Sequence, residues 1–238
     1  MLALTVCIPA GWSAFARAAD YPEMAPLAQY LSANQSSEVA LARSAAPKSV
    51  AEHATVLTLT KHGYETAVKG SDGFVCFVER SWANDFDNGQ FWNPRIRTPQ
   101  CWNAAAASSL LKDYLNRTQW VLSGASKVEM LARTKAEFAT HEVGPPAPGS
   151  MAYMLSKKQY INDPSPQGQP EWYPHVMFFV PATDGSPWGA NAPDGPLFSA
   201  TSDVEPVTTY FLLAPNWADG SPGPYAKNSG KAKKHHHG

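Results

Sequence analysis

The clearest alternation of apolar and polar positions falls between residues 55 and 78. Thr55-Val-Leu-Thr-Leu-Thr60 is β-branched or apolar throughout and predicts a strand. Lys61-His-Gly63 turns the chain, and residues 64–69 give a second strand. Gly70-Ser-Asp-Gly73 then turns it again into Phe74-Val-Cys-Phe-Val78, a third strand. Three strands joined so tightly are expected to form an antiparallel meander. Downstream the period changes. Asn103 caps a helix running to about residue 117, with Leu110, Leu111, Tyr114 and Leu115 on one face. The capping box Ser126-Lys-Val-Glu129 opens a second helix to about residue 141, with Val128, Leu131, Ala132 and Phe138 as its expected buried face. Gly144-Pro-Pro-Ala-Pro148 stops that helix, and apolar runs at 151–155, 172–180 and 208–214 predict the remaining strands. Before the meander, residues 21–46 are helical in short pieces. Leu27, Tyr30 and Leu31 share one face, and a second piece carries Val39, Leu41 and Ala42 behind Ser36 or Ser37.

These elements sum to one α+β domain over residues 20–222. The expected sheet is antiparallel with about five or six strands, the N-terminal meander plus the C-terminal strands. A helical pair is inserted between the two sets, and short helices precede them. Residues 1–19 are different. An apolar run from Leu2 to Ile8, broken by Pro9 and Gly11, ends in the small-residue pattern Ala16-Arg17-Ala18. That is an export signal with cleavage after Ala18 or Ala19, although no basic residue opens it. It is shorter than the roughly 20 apolar residues that a membrane-spanning helix needs. Residues 223–238 are polar and basic and end in a histidine triplet, so they are expected to be a disordered, tag-like tail.

Charge changes the picture once the ends are set aside. The whole chain has 19 basic and 20 acidic residues. Without Arg17, Lys227, Lys231, Lys233 and Lys234, the body keeps 14 basic against 20 acidic residues, a net charge of −6. An acidic body argues against nucleic acid and against anionic membrane surfaces, both of which select basic patches. No membrane insertion is expected after signal removal. The charged fraction is only 16%, with 8 Trp and 21 Pro, which describes a loop-rich exported globule. Beyond Cys7 in the signal, only Cys76 and Cys101 remain, and an even count in an oxidising compartment favours a disulfide. It would fasten the polar, aromatic loop 84–99 back to the sheet.

Motifs that would name a reaction are missing. There is no Gly-x-Ser-x-Gly elbow, dinucleotide fingerprint or phosphate loop. Ser109-Leu-Leu-Lys112 matches the Ser-x-x-Lys of penicillin-recognising enzymes, but the partner Lys-Thr-Gly element is absent. No cofactor is implied, and no histidine pair has metal-ligand spacing. His175 and Met177 would share one face of a strand and could ligate copper. Several segments set aromatics beside hydrogen-bonding groups: Glu79-Arg-Ser-Trp82, Phe91-Trp-Asn-Pro-Arg95, Trp172-Tyr-Pro-His175, Trp188-Gly-Ala-Asn191 and Trp217-Ala-Asp-Gly220. Trp82, Trp92, Asn93, Arg95, Trp172, Trp188 and Asn191 are therefore candidate contacts to a polar or sugar-like ligand. The same residues would equally serve to pin long loops. For acid–base chemistry the candidate is His175 as general base, with Glu79 or Asp184 as partner.

The segments Ala40-Leu-Ala-Arg-Ser-Ala-Ala-Pro47, Gly63-Tyr64, Gly70-Ser-Asp-Gly-Phe-Val-Cys76, Trp172-Tyr-Pro-His-Val-Met-Phe178, Trp188-Gly-Ala-Asn191 and Trp217-Ala-Asp-Gly220 resemble a group of uncharacterised exported bacterial proteins. The resemblance spans most of residues 38–220 and implies export and a single domain, with no activity attached. Three functions are thus expected in order: a periplasmic or secreted protein that binds a small ligand or acts as an accessory, a hydrolase using His175, and a metal protein using His175 with Met177 or His62.

Overall fold

The computed structural model describes residues 21–163 and 172–226, so the segment expected to be an export signal and most of the segment expected to be a tail lie outside the described residues. Of the segment expected as tail, residues 223–226 belong to the described chain, and the Gly223 N–H donates to the Pro215 carbonyl at 2.7 Å.

One mixed sheet of eight strands organises the chain, more than the five or six expected. They are β1 (Thr55–Thr60), β2 (Gly63–Val68), β3 (Val75–Glu79), β4 (Thr98–Trp102), β5 (Met151–Met154), β6 (His175–Pro181), β7 (Leu197–Thr201) and β8 (Val207–Leu213), in the order β2-β1-β3-β4-β5-β6-β8-β7. The two unexpected strands are β4 and β7. Pro99 interrupts the first, and the second leaves a Gly/Pro-rich loop, so both lack a strand-like local signal. The helices are α1 (Gln35–Arg43), α2 (Lys48–Ala51), α3 (Ala104–Ser109), α4 (Leu111–Leu122) and α5 (Lys127–Ala139).

The expected meander is corrected in one respect. β1 and β2 form the antiparallel hairpin, turning at Gly63, whose φ of +115° suits glycine. The chain then returns past the start of β1, where Ser71 N–H bonds the His53 carbonyl and Thr55 N–H bonds the Phe74 carbonyl, both at 2.8 Å. β3 therefore joins the free edge of β1 in parallel. The parallel ladder holds only Thr55–Val75 and Val56–Cys76. Beyond it the strands separate, and a buried ion pair fills the gap. Glu38 Oε1 accepts from Leu59 N–H at 3.0 Å and from Arg80 Nη2 at 2.8 Å. Arg80 also donates to the Tyr30 and Val78 carbonyls. Backbone groups that would otherwise be buried without partners are thus satisfied by side chains.

The strict alternation of strand side chains sends alternate residues into two cores. Val56, Cys76, Val78 and Cys101 face α1, where Ala42 meets them. Leu57, Leu59, Phe77, Trp102, Ala152, Met177 and Phe179 face the helical layer, where Tyr114, Val121 and Met130 meet them. Phe77 packs against Tyr114 and Trp102, each at a ring separation of 5.3 Å. Cys76 and Cys101 are directly opposed on β3 and β4 and form the expected disulfide, fully buried.

The helical pair sits where expected, between β4 and β5, with the first helix broken at Leu110 into α3 and α4. Asn103 and Ser126 cap as foreseen, the latter in a complete capping box, while α1 is capped by Asn34 rather than Ser36 or Ser37. The buried stripe of α5 is Met130, Thr134 and Glu137; Val128 is 75% exposed and Ala132 lies on the solvent side. Two of the three buried residues are polar, which hid the stripe from an apolar count. Ser126→Ala removes the N-cap acceptor and is expected to cost about 1 kcal/mol in urea unfolding, with α5 fraying first.

Candidate functional site

The strands send alternate side chains to the face covered by the helical layer, but the helices cover only part of it. They sit over Phe77, Trp102 and Phe179. Next to them the face is open and forms a cleft of about 540 Å³, which deepens under α4 into a smaller pocket of about 170 Å³. The cleft floor comes from strands far apart in sequence. β3 and β4 supply Glu79, Thr98 and Gln100. β5 supplies Met154, β6 His175 and Met177, and β8 Thr209 and Phe211. Register puts all of these on one face, since Glu79 pairs with Thr98, Met154 with His175 and Met177 with Phe211. Asn84, Asn162, Trp172 and Glu205 form the walls. The volume lies in the range of small-molecule sites.

A directed chain of hydrogen bonds runs along the floor. The Trp102 indole N–H donates to Gln100 Oε1 at 2.7 Å, which turns the Gln100 amide nitrogen toward Glu79 Oε2. The Thr98 hydroxyl reaches the same oxygen at 3.5 Å. Burial pushes the Glu79 carboxyl up to about 8, against the pull of Arg117, so it is largely un-ionised at neutral pH.

Behind Glu79 stands a cluster built on α4. Arg117 pairs with Glu205 and, one turn back, with Asp113 at 3.3 Å. Asn116 on α4 donates to Glu137 of α5 at 2.8 Å. Asp113 and Glu137 interact through facing carboxyl oxygens, Asp113 Oδ1 and Glu137 Oε1, that have no donor among the described residues. Burial first, and then the hydrogen bond and charge of Glu137, raise the Asp113 carboxyl to about 7 against the pull of Arg117. Burial also raises Glu205. Burial works against the Arg117 charge, yet Glu205, Asp113 and Glu137 together hold it in place.

His175 is buried against Trp172 and Phe211, at ring separations of 5.0 and 5.5 Å. Its Nδ1 lies 2.9 Å from the Tyr173 carbonyl and must carry the proton, while burial lowers its basicity. Nε2 is therefore a lone-pair acceptor, and it has no partner among the described residues. Trp172 Nε1 and Asn84 Nδ2, both donors, are buried without partners in the same way.

Of the residues singled out from sequence, His175, Glu79 and Trp172 meet in this cleft. His175 makes no hydrogen bond to a carboxylate. Asp184 lies elsewhere, exposed in the loop after β6, where the backbone N–H and hydroxyl of Ser186 hold its carboxylate below the usual range. Trp82 and Trp92 are buried in the core, the first donating to Thr118 at 3.0 Å and the second accepting from Tyr30 at 2.7 Å. Asn93 and Arg95 bind Asp163 and so tie the 84–97 loop down. Trp188 packs against Tyr210, whose strand position faces away from the cleft, and Asn191 bonds Ser199. Met177 shares the cleft face with His175, whereas His62 sits in the turn between β1 and β2. Among the described residues no group of three or more His, Cys, Asp or Glu could hold a metal ion, and no helix is long and apolar enough to cross a membrane. Ser109 and Lys112 do not meet, the first bonding Ala105 and the second Glu142.

Sequence reasoning did not single out Thr98, Gln100, Asp113, Arg117 or Glu205. The available signal was the α4 stripe, on which Asp113 and Arg117 sit one turn apart beside Tyr114 and Val121. No family model matches the chain, and no curated protein or solved structure matches it.

Proposed function

We propose that the chain is an exported protein that binds a small polar molecule in the cleft between Glu79 and His175. The observation that carries this reading is the set of three buried polar atoms on the cleft residues, His175 Nε2, Trp172 Nε1 and Asn84 Nδ2, without partners among the described residues. Buried polar groups are costly unless bonded, and a ligand in the cleft supplies the missing bonds. The disulfide supports export, because such bonds persist in oxidising compartments.

A panel of small polar compounds followed by thermal unfolding tests the reading. A binder present at a hundredfold its dissociation constant stabilises by about 2.7 kcal/mol, which gives a readable rise in Tm. Trp172→Ala should abolish that rise; because the indole also packs on His175, the Tm without ligand falls too, and the rise is read against the variant's own baseline. An equal rise in the variant would place the binder elsewhere and sink the proposal.

A hydrolase is the second reading. Its specific support is His175 with a free Nε2 lone pair in one cleft with the un-ionised Glu79, an acceptor and a donor for protons. It requires turnover on an ester, glycoside or amide panel that His175→Ala removes.

A further inference from the structure

We propose that the cleft selects an uncharged, polyhydroxylated molecule of one or two sugar rings, and that Glu79 recognises it as a neutral carboxylic acid, donating a hydrogen bond from Oε1. The inference rests on the reading of the cleft as a small-ligand site and names its ligand class.

The polarity of the floor dictates the proton's place. Trp102 fixes the Gln100 amide, and Gln100 and Thr98 then direct their donors at Glu79 Oε2. An oxygen that accepts two hydrogen bonds does not carry the acid proton, so the proton sits on Oε1, which has no partner among the described residues. Charge arithmetic supports the neutral form. Four carboxyls, Glu79, Asp113, Glu137 and Glu205, surround the single Arg117 guanidinium. Arg117 is already paired with Glu205 and Asp113, which leaves Glu79 without a counter-charge of its own. The other titratable groups near Glu79 among the described residues are Tyr114 from α4, Tyr64 from β2, His175 from β6 and Asp85 from the loop after β3, and none is a cation near neutral pH.

The same arithmetic sets the ligand's charge. No lysine or arginine lines the open cleft among the described residues, so an anion would meet carboxyls and no compensating cation. A cation would find Glu205 committed to Arg117 and would have to expel the Glu79 proton, while Asp85 at the cleft lining is exposed, so water and salt screen its pull. What the cleft offers a neutral ligand is mixed. Glu79, Trp172 and Asn84 donate, and His175 Nε2 accepts, beside the aromatic faces of Trp172 and Phe211. Hydroxyl groups, each donor and acceptor at once, fit that alternation, and the C–H faces of a sugar ring fit the aromatics.

Calorimetry on the full chain tests this with glucose, galactose, cellobiose and maltose, beside glucuronate and glucosamine as charged analogues. At least one neutral sugar should bind at pH 7, with its charged analogues about tenfold weaker or more. Because the carboxyl titrates at about 8, binding that needs the acid form should fall about tenfold between pH 7 and pH 9. Glu79→Gln keeps an N–H donor at that place and cannot ionise. It should bind within about threefold of wild type at pH 7 and lose the dependence on pH. Equal wild-type affinity at both pH values, or a fall that survives Glu79→Gln, overturns the role of Glu79; the wild-type profile decides even if the variant does not fold. If a charged analogue binds in the wild type and Trp172→Ala abolishes it, the ligand class is wrong while the cleft reading stands. If neither sugars nor a wider set of amines and acids bind, both fall.

Discussion

Glu38→Ala should lower the unfolding free energy by about 3–5 kcal/mol, a large part of what a domain of this size has. The Arg80 and Glu38 side chains are 0% and 2% exposed, so removing the carboxylate leaves a guanidinium in the core without its counter-ion. Leu59 N–H loses its Glu38 acceptor at the same time, where β1 and β3 have already separated. The remaining bonds of Arg80 to the Tyr30 and Val78 carbonyls satisfy hydrogen-bonding geometry but not charge. Urea unfolding followed by tryptophan fluorescence reads the effect, since Trp82 lies against Tyr30 at a ring separation of 5.1 Å. The paired replacement Glu38→Leu with Arg80→Met should recover part of the loss, because it removes the orphaned charge. A loss below about 1 kcal/mol for Glu38→Ala would mean that water reaches Arg80 and that the ion pair is not what closes the gap.

The second large effect is expected at the disulfide. Cys76→Ala with Cys101→Ala should destabilise by about 3 kcal/mol, because the bond closes a loop of 25 residues in the unfolded chain. That loop contains the whole aromatic segment 80–97, so the unfolded ensemble gains much freedom when it opens. The native contacts change little, since two buried alanines replace a compact bridge between directly opposed strand positions. Equilibrium unfolding of the double variant against the oxidised wild type measures the difference. The same experiment on the wild type in excess reductant should converge on the variant. Equal stability of the two would show that loop 80–97 is already constrained in the unfolded state, by its own aromatic cluster.

The two stability determinants differ in how visible they are in the sequence. Cysteine counting identified the disulfide, because pairing two remaining cysteines requires no knowledge of topology. The ion pair could not be read that way. Glu38 is in a short helix and Arg80 follows a strand 42 residues later, and each alone looks like an ordinary surface charge. Their partnership exists because β3 joins β1 in parallel and then departs from it, a choice that the tight turns at Gly63 and Gly70 did not reveal. The strands with clean alternation or long apolar runs, β1, β6 and β8, were legible. β4 and β7 were not, since proline and small residues carry no periodicity, and their strand character comes from neighbours on both sides. The site divides similarly. His175, Glu79 and Trp172 stand next to aromatic strand ends and drew attention. Gln100 and Arg117 function only through what the fold lays beside them, and Asp113 and Arg117 one turn apart on a helix look like a solvated pair until α5 covers them.

The ladder between β4 and β5 holds two residue pairs, Cys101–Tyr153 and Trp102–Ala152, far fewer than the seven between β6 and β8. The β1–β3 ladder is as short, but there the Glu38–Arg80 ion pair spans the gap; the β4–β5 seam has no such bridge among the described residues, and the cleft lies across it. Glu79, Thr98 and Gln100 stand on one bank, and His175, Met177 and Thr209 stand on the other. Amide exchange should therefore open the sheet along this seam before either bank unravels, giving two cooperative units divided between β4 and β5. A molecule seated in the cleft would touch both units and slow exchange in each, although it contacts few of the amides it protects.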